Sequence, residues 1–152
     1  MADIVPPKVR SRMMSGIRGK DTKPELIVRR GLHAMGFRYT LHNRRLPGSP
    51  DLVLPKHDAV IFVHGCFWHG HDCHLFKWPQ TRPEFWREKI GRNRERDARS
   101  LAALRASGWR IATIWECALR AVASSDRLLL EVSSWITSDQ EILDVSGAQN
   151  GT

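Results

Sequence analysis

Asp51-Leu52-Val53-Leu54-Pro55-Lys56-His57-Asp58-Ala59-Val60-Ile61-Phe62-Val63-His64 runs directly into Gly65-Cys66-Phe67-Trp68-His69-Gly70-His71-Asp72-Cys73-His74. The first half contains two short, apolar, β-prone runs, 51–54 and 59–64. Pro55 to Asp58 separates them as a turn, so a hairpin is expected. Residues 64–74 concentrate four of the seven histidines and two of the three cysteines. Thiolate and imidazole are the preferred ligands of zinc, and a closed tetrahedral site takes four. The run offers more candidates than one ion uses. An imidazole left over beside a pinned loop is free for acid–base chemistry.

Outward from this core the pattern alternates between elements. Thr22-x-x-Glu25 is a capping box that opens a helix running to about Met35, with Gly36 as its stop. Residues 37–42 alternate like a strand, and 44–50 form a turn-rich loop. Beyond the Cys/His run a long helix is expected over 83–106, with Gly108 just past its end. A strand follows at 109–115, then helical stretches at 116–122 and 126–136 separated by Ser124 and Ser125. The order predicts an α/β fold with a mixed central sheet flanked by helices. Residues 1–20, highly charged and weakly periodic, read as a basic arm. Residues 21–137 read as the domain proper, and 138–152 as a loose, polar tail.

The chain has 152 residues and a net charge of +8, with a pI near 10.1. That balance suits a nucleic-acid partner. The excess is clustered: 8–30 holds eight Lys or Arg against two acids, and 82–99 holds seven against four. The second cluster mixes signs, as an ordinary exposed helix also does. Arg outnumbers Lys 18 to 6, which favours bidentate phosphate and base-edge contacts. With no long apolar run near Met1 and no membrane-length segment, a soluble, cytoplasmic protein is expected. Three cysteines cannot all pair within one chain, so metal ligation is the better reading. Cys66-x4-His71-x-Cys73 lacks a fourth ligand, for which Cys117 is the candidate; a buried apolar thiol is its alternative.

Asp51 sits where a loop enters a strand, and His64 ends the next one. In an antiparallel hairpin these ends are neighbours. Asp51, with the backbone carbonyl of Val63, offers oxygen ligands to a hard ion such as magnesium, which fills the rest of its shell with water and phosphate oxygens. A turn-capping role for Asp51 after Pro47-Gly48-Ser49-Pro50 is the competing reading.

The segments Arg10-Ser11-Arg12, Asp21-Thr22-x-x-Glu25, Leu46-Pro47-Gly48-x-Pro50-Asp51 and His64-Gly65-Cys66-Phe67-Trp68-His69 have the order and spacing found in the very short patch repair (Vsr) endonucleases. So do Lys89-Ile90-Gly91-x-Asn93-x-Glu95-Arg96-Asp97, Gly108-Trp109-Arg110 and Trp115-Glu116-Cys117-Ala118-Leu119-Arg120. The chain resembles that family over about residues 10 to 120 and departs from it in the tail. The resemblance implies a restriction-endonuclease-like fold. It also implies an enzyme that nicks one strand of DNA, 5′ of the thymine in a T·G mismatch left by deamination of 5-methylcytosine. Asp51 would be the magnesium carboxylate, with Val63-His64 standing where restriction-type enzymes carry an acid and a lysine. His69 would activate water, Asp97 would orient its ring, His64 would assist near the metal, and Glu25 would hold a metal-bound water.

Imidazole suits the base because its ordinary pKa lies near neutrality. Assigning Cys66, His71, Cys73 and Cys117 to a structural zinc leaves His64 and His69 free, with His74 as a solvated bystander. Phe67 and Trp68, joined by Trp86, are suited to wedge between base pairs, a step that costs a few kcal/mol and least at a weak pair. Packing in the core is the alternative for Trp86. Met14 would enter from the opposite groove. Arg10, Arg12, Arg18 and Lys20 of the arm, with Lys89 and Asn93 of the long helix, complete the DNA-facing set. Trp109, Trp115 and Trp135 read as core. A monomer acting on duplex DNA is expected, with mismatch-repair proteins as partners by resemblance alone. A non-catalytic zinc-stabilised DNA-binding module, or a restriction-type enzyme on undamaged DNA, are the rival readings.

Overall fold

A computed structural model describes residues 22–73, 75–121 and 125–147. Its elements in order are α1 (Lys23–Ala34), β1 (Thr40–Leu41), β2 (Leu52–Leu54), β3 (Ala59–His64), α2 (Pro83–Ala106), β4 (Arg110–Trp115), α3 (Glu116–Ala121), α4 (Asp126–Ile136) and β5 (Ile142–Val145). The expected hairpin is β2 on β3, in antiparallel register with Leu52 opposite Ile61 and Leu54 opposite Ala59. A single 3₁₀ turn, Pro55–His57, joins the two strands, and Asp58 closes it with φ 53°.

Sequence order is also spatial order in the sheet, β1-β2-β3-β4-β5. The first two pairings are antiparallel and the last two parallel, so the sheet is mixed and the protein α/β. Strand residues alternate between faces, and the buried set divides accordingly. Leu52, Leu54, Ala59, Ile61, Ala112 and Ile114 face α1 and α4, where Val28, Leu32, Val132 and Ile136 cover them. Val53, Val60, Phe62 and Ile111 face the other way, against Leu104 of α2. With both faces covered, β2 and β3 read as unbroken apolar runs.

α1 begins on Thr22, whose Oγ1 accepts from the Glu25 amide at 3.4 Å, and ends before Gly36 at φ 101°. Its buried stripe is Glu25, Val28 and Leu32: a carboxylate occupies the first place of an otherwise apolar seam. The long helix and α4 match the expected spans.

Two elements differ from expectation. The strand at 37–42 contracts to Thr40–Leu41, because His42 turns into the left-handed region with φ 49°. Within the stretch read as a loose tail, Ile142–Val145 is a strand, paired in parallel with β4 from Ile111 opposite Ile142 to Ile114 opposite Val145. Four residues flanked by polar ones carry little local signal. Pairing with a distant strand, with Leu143 and Val145 packed against the core, orders them. The folded domain therefore extends past residue 137.

Candidate metal and nuclease site

The carboxyl ends of β3 and β4 bring the chemistry together. In register, His64 lies opposite Trp115; the loop leaving β3 carries Cys66, and α3, which follows β4 directly, carries Cys117. Cys66, His71, Cys73 and Cys117 present ligand atoms that all lie within 4.8 Å of one another. Backbone amides point at the sulfurs: Cys117 N–H donates to Cys66 Sγ at 3.3 Å, and Gly147 N–H donates to Cys117 Sγ at 3.2 Å. Such donors stabilise thiolate. His71 approaches Cys117 Sγ through Nδ1, at 3.5 Å. Burial pushes the Cys66 and Cys117 thiols upward and holds His71 below its ordinary value. A neutral imidazole among crowded sulfurs is the donor set that zinc favours, and a cation would displace the thiol protons. The residues fit the ion.

Beside this cluster lies a cleft of about 380 Å³, lined by Asp51, Val63, His64, Phe67, Trp68 and His69 among others. His69 Nδ1 and Asp97 Oδ2 are 2.6 Å apart, which joins the loop to α2. The rings of His64 and His69 stack at 3.7 Å with 6° between planes. Burial foremost, then the neighbouring His69 and His71, holds His64 well below the ordinary histidine range. It is therefore neutral at pH 7. Its Nδ1 is buried without a hydrogen-bond partner among the described residues.

Asp51 Oδ2 accepts the Val63 N–H at 2.7 Å. Burial raises the Asp51 carboxyl to about 7, the Val63 bond opposes this, and the charge and hydrogen bond of Glu25 add to it. A cation bound here would take the place of the proton on Asp51. Oxygen donors of this kind, with the Val63 backbone alongside, fit a hard divalent ion.

The structure gives several of the expected residues particular partners. Asn93, placed among the DNA contacts, donates from Nδ2 to the Trp68 carbonyl at 2.9 Å and so ties the aromatic loop to α2. Arg94 bonds the Gly70 carbonyl nearby. Gly70 needs to be glycine: φ is 60°, and a Cβ there would come within 2.6 Å of Ile90 Cγ2. Trp115, expected in the core, stacks on His71 at 4.0 Å, packs edge-on against His64 and donates Nε1–H to Asp144 at 3.2 Å. Trp86 stands half-buried with Phe67 and Trp68, ring centroids 5.3 and 5.8 Å away. Lys89 is half-buried on α2. Met14, Arg10, Arg12, Arg18, Lys20 and His74 lie outside the described residues.

Sequence reasoning missed four contributors. Phe76 and Trp78 extend the aromatic cluster, and Arg87 lies 5.4 Å over the Trp78 ring; their alternation with prolines and polar residues gave no periodic signal. His42 contacts Glu25 at 2.7 Å, which no motif announced.

The class that emerges is an α/β protein with a carboxylate–imidazole cleft beside a thiol-rich cluster. No helix among the described residues is long and apolar enough to cross a membrane. The family model for the DNA mismatch endonuclease Vsr matches residues 2–75. The type II nicking enzyme V.XorIIP of Xanthomonas oryzae pv. oryzae is 49% identical over 119 residues, covering 78% of this chain and 88% of its own. The DNA mismatch endonuclease Vsr of Escherichia coli is 45% identical over 138 residues, 90% of this chain and 88% of its own. V.NmeAIP of Neisseria meningitidis, also a type II nicking enzyme, is 43% identical over 120 residues, with 79% and 86% covered. The chain belongs to the Vsr family of DNA mismatch endonucleases.

Proposed function

We propose that this chain is a magnesium-dependent endonuclease that nicks one strand of duplex DNA 5′ of the thymine in a T·G mismatch, the lesion left by deamination of 5-methylcytosine. The observation that carries the reading is the convergence of Asp51, His64 and the His69–Asp97 pair on one cleft walled by Phe67 and Trp68. A pure binding module has no use for that pairing. Asp97 accepts Nδ1–H of His69 and leaves Nε2 as the nitrogen that takes a proton from the attacking water. Neutral His64, stacked on His69, shields the ring without repelling the imidazolium that forms. Asp51 and the Val63 carbonyl would hold the ion, and Glu25 would orient a water on it. Magnesium, when bound, polarises the scissile phosphate and stabilises the charge that develops as the P–O bond breaks.

Zinc on Cys66, His71, Cys73 and Cys117 would be closed and structural, fixing the loop that carries His69. Phe67, Trp68 and Trp86, extended by Phe76 and Trp78, would insert at the mismatch, where unstacking costs least. Arg10, Arg12, Arg18, Lys20 and Met14 of the arm would close over the other groove. A restriction-endonuclease-like arrangement of the mixed sheet is in keeping with catalytic groups at the ends of β2 and β3.

Incubation with magnesium and duplexes carrying T·G or T·A at one position, read strand by strand on a denaturing gel, tests the proposal. A single cut beside the mismatched thymine, absent with T·A and abolished in Asp51→Ala while binding persists, is expected. Equal cutting of T·A, or of both strands, would favour the restriction-type alternative.

A further inference from the structure

His42 carries two bonds that reach both acidic residues of the site, one to the Asp51 backbone and one to the Glu25 carboxylate. Its backbone N–H donates to the Asp51 carbonyl at 3.0 Å, and its Nε2 lies 2.7 Å from Glu25 Oε2. The same Glu25 oxygen is 3.1 Å from Arg29 Nη1. Ligand atoms of Glu25, His42 and Asp51 all lie within 4.8 Å of one another. To make both bonds His42 adopts φ 49°, a region that non-glycine residues enter rarely and that recurs at functional sites. Asn43 follows with its side chain accepting from Arg45 N–H at 2.9 Å, so the turn is fixed on the far side too.

Glu25 is almost fully buried on an apolar helix stripe, where an unoriented carboxylate would be costly. Arg29 and His42 fix one of its oxygens, within a cluster whose Glu25 and Asp51 ligand atoms lie no more than 4.8 Å apart. We infer that His42 is a positioning residue for the divalent-cation site: by donating Nε2–H to Glu25 while bonding the Asp51 backbone, it sets the spacing of the two carboxyls that receive the ion. The inference rests on the cation site proposed above and adds a residue to it. A hard cation prefers oxygen, so His42 works through Glu25 and does not ligate. Groups orienting metal ligands commonly change metal affinity by roughly 10- to 100-fold when lost.

The test measures Mg²⁺ binding to the full chain without DNA, by titration calorimetry, alongside the Mg²⁺ dependence of nicking. His42→Ala is expected to raise the Mg²⁺ Kd by about 10- to 100-fold and to shift the Mg²⁺ requirement of nicking equally, with activity recovered at saturating Mg²⁺. His42→Gln, whose amide nitrogen reaches the Nε2 position, should restore binding; His42→Asn, whose amide falls at Nδ1, should not. Zinc content and Tm report folding, and the Gln–Asn contrast decides the matter even where the Ala variant is unstable. Normal Mg²⁺ binding in His42→Ala, or equal defects in the Gln and Asn variants, overturns the role. Asp51→Ala separates the two levels. Normal Mg²⁺ binding in that variant overturns the cation site itself, whereas a defective Asp51→Ala with a normal His42→Ala overturns only His42.

Discussion

Magnesium binding should compete with a proton on Asp51, with a sign and size that follow from its surroundings. Burial and Glu25 raise that carboxyl from 3.8 to about 7. At 1.36 kcal/mol per unit, ionising Asp51 in the cation-free protein costs about 4 kcal/mol more than in the unfolded chain. The folded state therefore holds the extra proton between these two values. Cation-free stability falls as pH rises from about 4 to about 7, and the contribution is flat on either side. A divalent ion reverses the balance by displacing the proton. Below pH 7 the Mg²⁺ Kd should rise about tenfold per unit, and above roughly 7.5 it should level off. Calorimetric titration in buffers of different ionisation enthalpy reads both the affinity and the proton released, close to one per ion at pH 6. Asp51→Asn should abolish both the slope and the release. A Kd that is constant from about pH 5.5 to 8.5 would refute the assignment of Asp51 as the ion's carboxylate.

Three further outcomes follow. Cys117→Ser should lose zinc and lower Tm, because Cys117 holds the cluster to β4; full zinc occupancy by atomic absorption would place the fourth ligand elsewhere. His69→Ala should abolish nicking with zinc retained, and Asp97→Ala, which leaves His69 without its acceptor, should reduce kcat by about 10²-fold or more at an unchanged DNA Kd; loss of zinc from His69→Ala would reverse the sorting of the histidines. Trp68→Ala should weaken binding to T·G duplexes by about 1–3 kcal/mol while affecting undamaged duplexes less, measured by anisotropy at fixed salt; equal loss on both would remove the wedge.

Much of the sheet is legible in the chain because its signals are local. The β2–β3 runs are continuous apolar segments, Thr22 and Gly36 punctuate α1, and α2 starts on a proline. The Cys/His cluster is legible for a related reason: three of its members fall within eight residues, and Cys117 was the remaining cysteine. Elements that depend on distant partners are not. β5 is defined by what β4 offers it, and the single bend at His42 depends on a torsion that residue type does not report. Trp115 reads as core by composition, yet its position opposite His64 in a parallel pairing turns it into a wall of the site. Asn93 similarly matched a motif without disclosing that its amide faces its own loop.

The bond from Gly147 to Cys117 Sγ has a consequence for how the molecule matures. Cys117 emerges from the ribosome about thirty residues before its amide donor, and the strand that delivers this donor docks on β4. An ion held by Cys117 and docking of the strand that delivers Gly147 would reinforce each other, so a chain lacking that strand should hold metal less firmly.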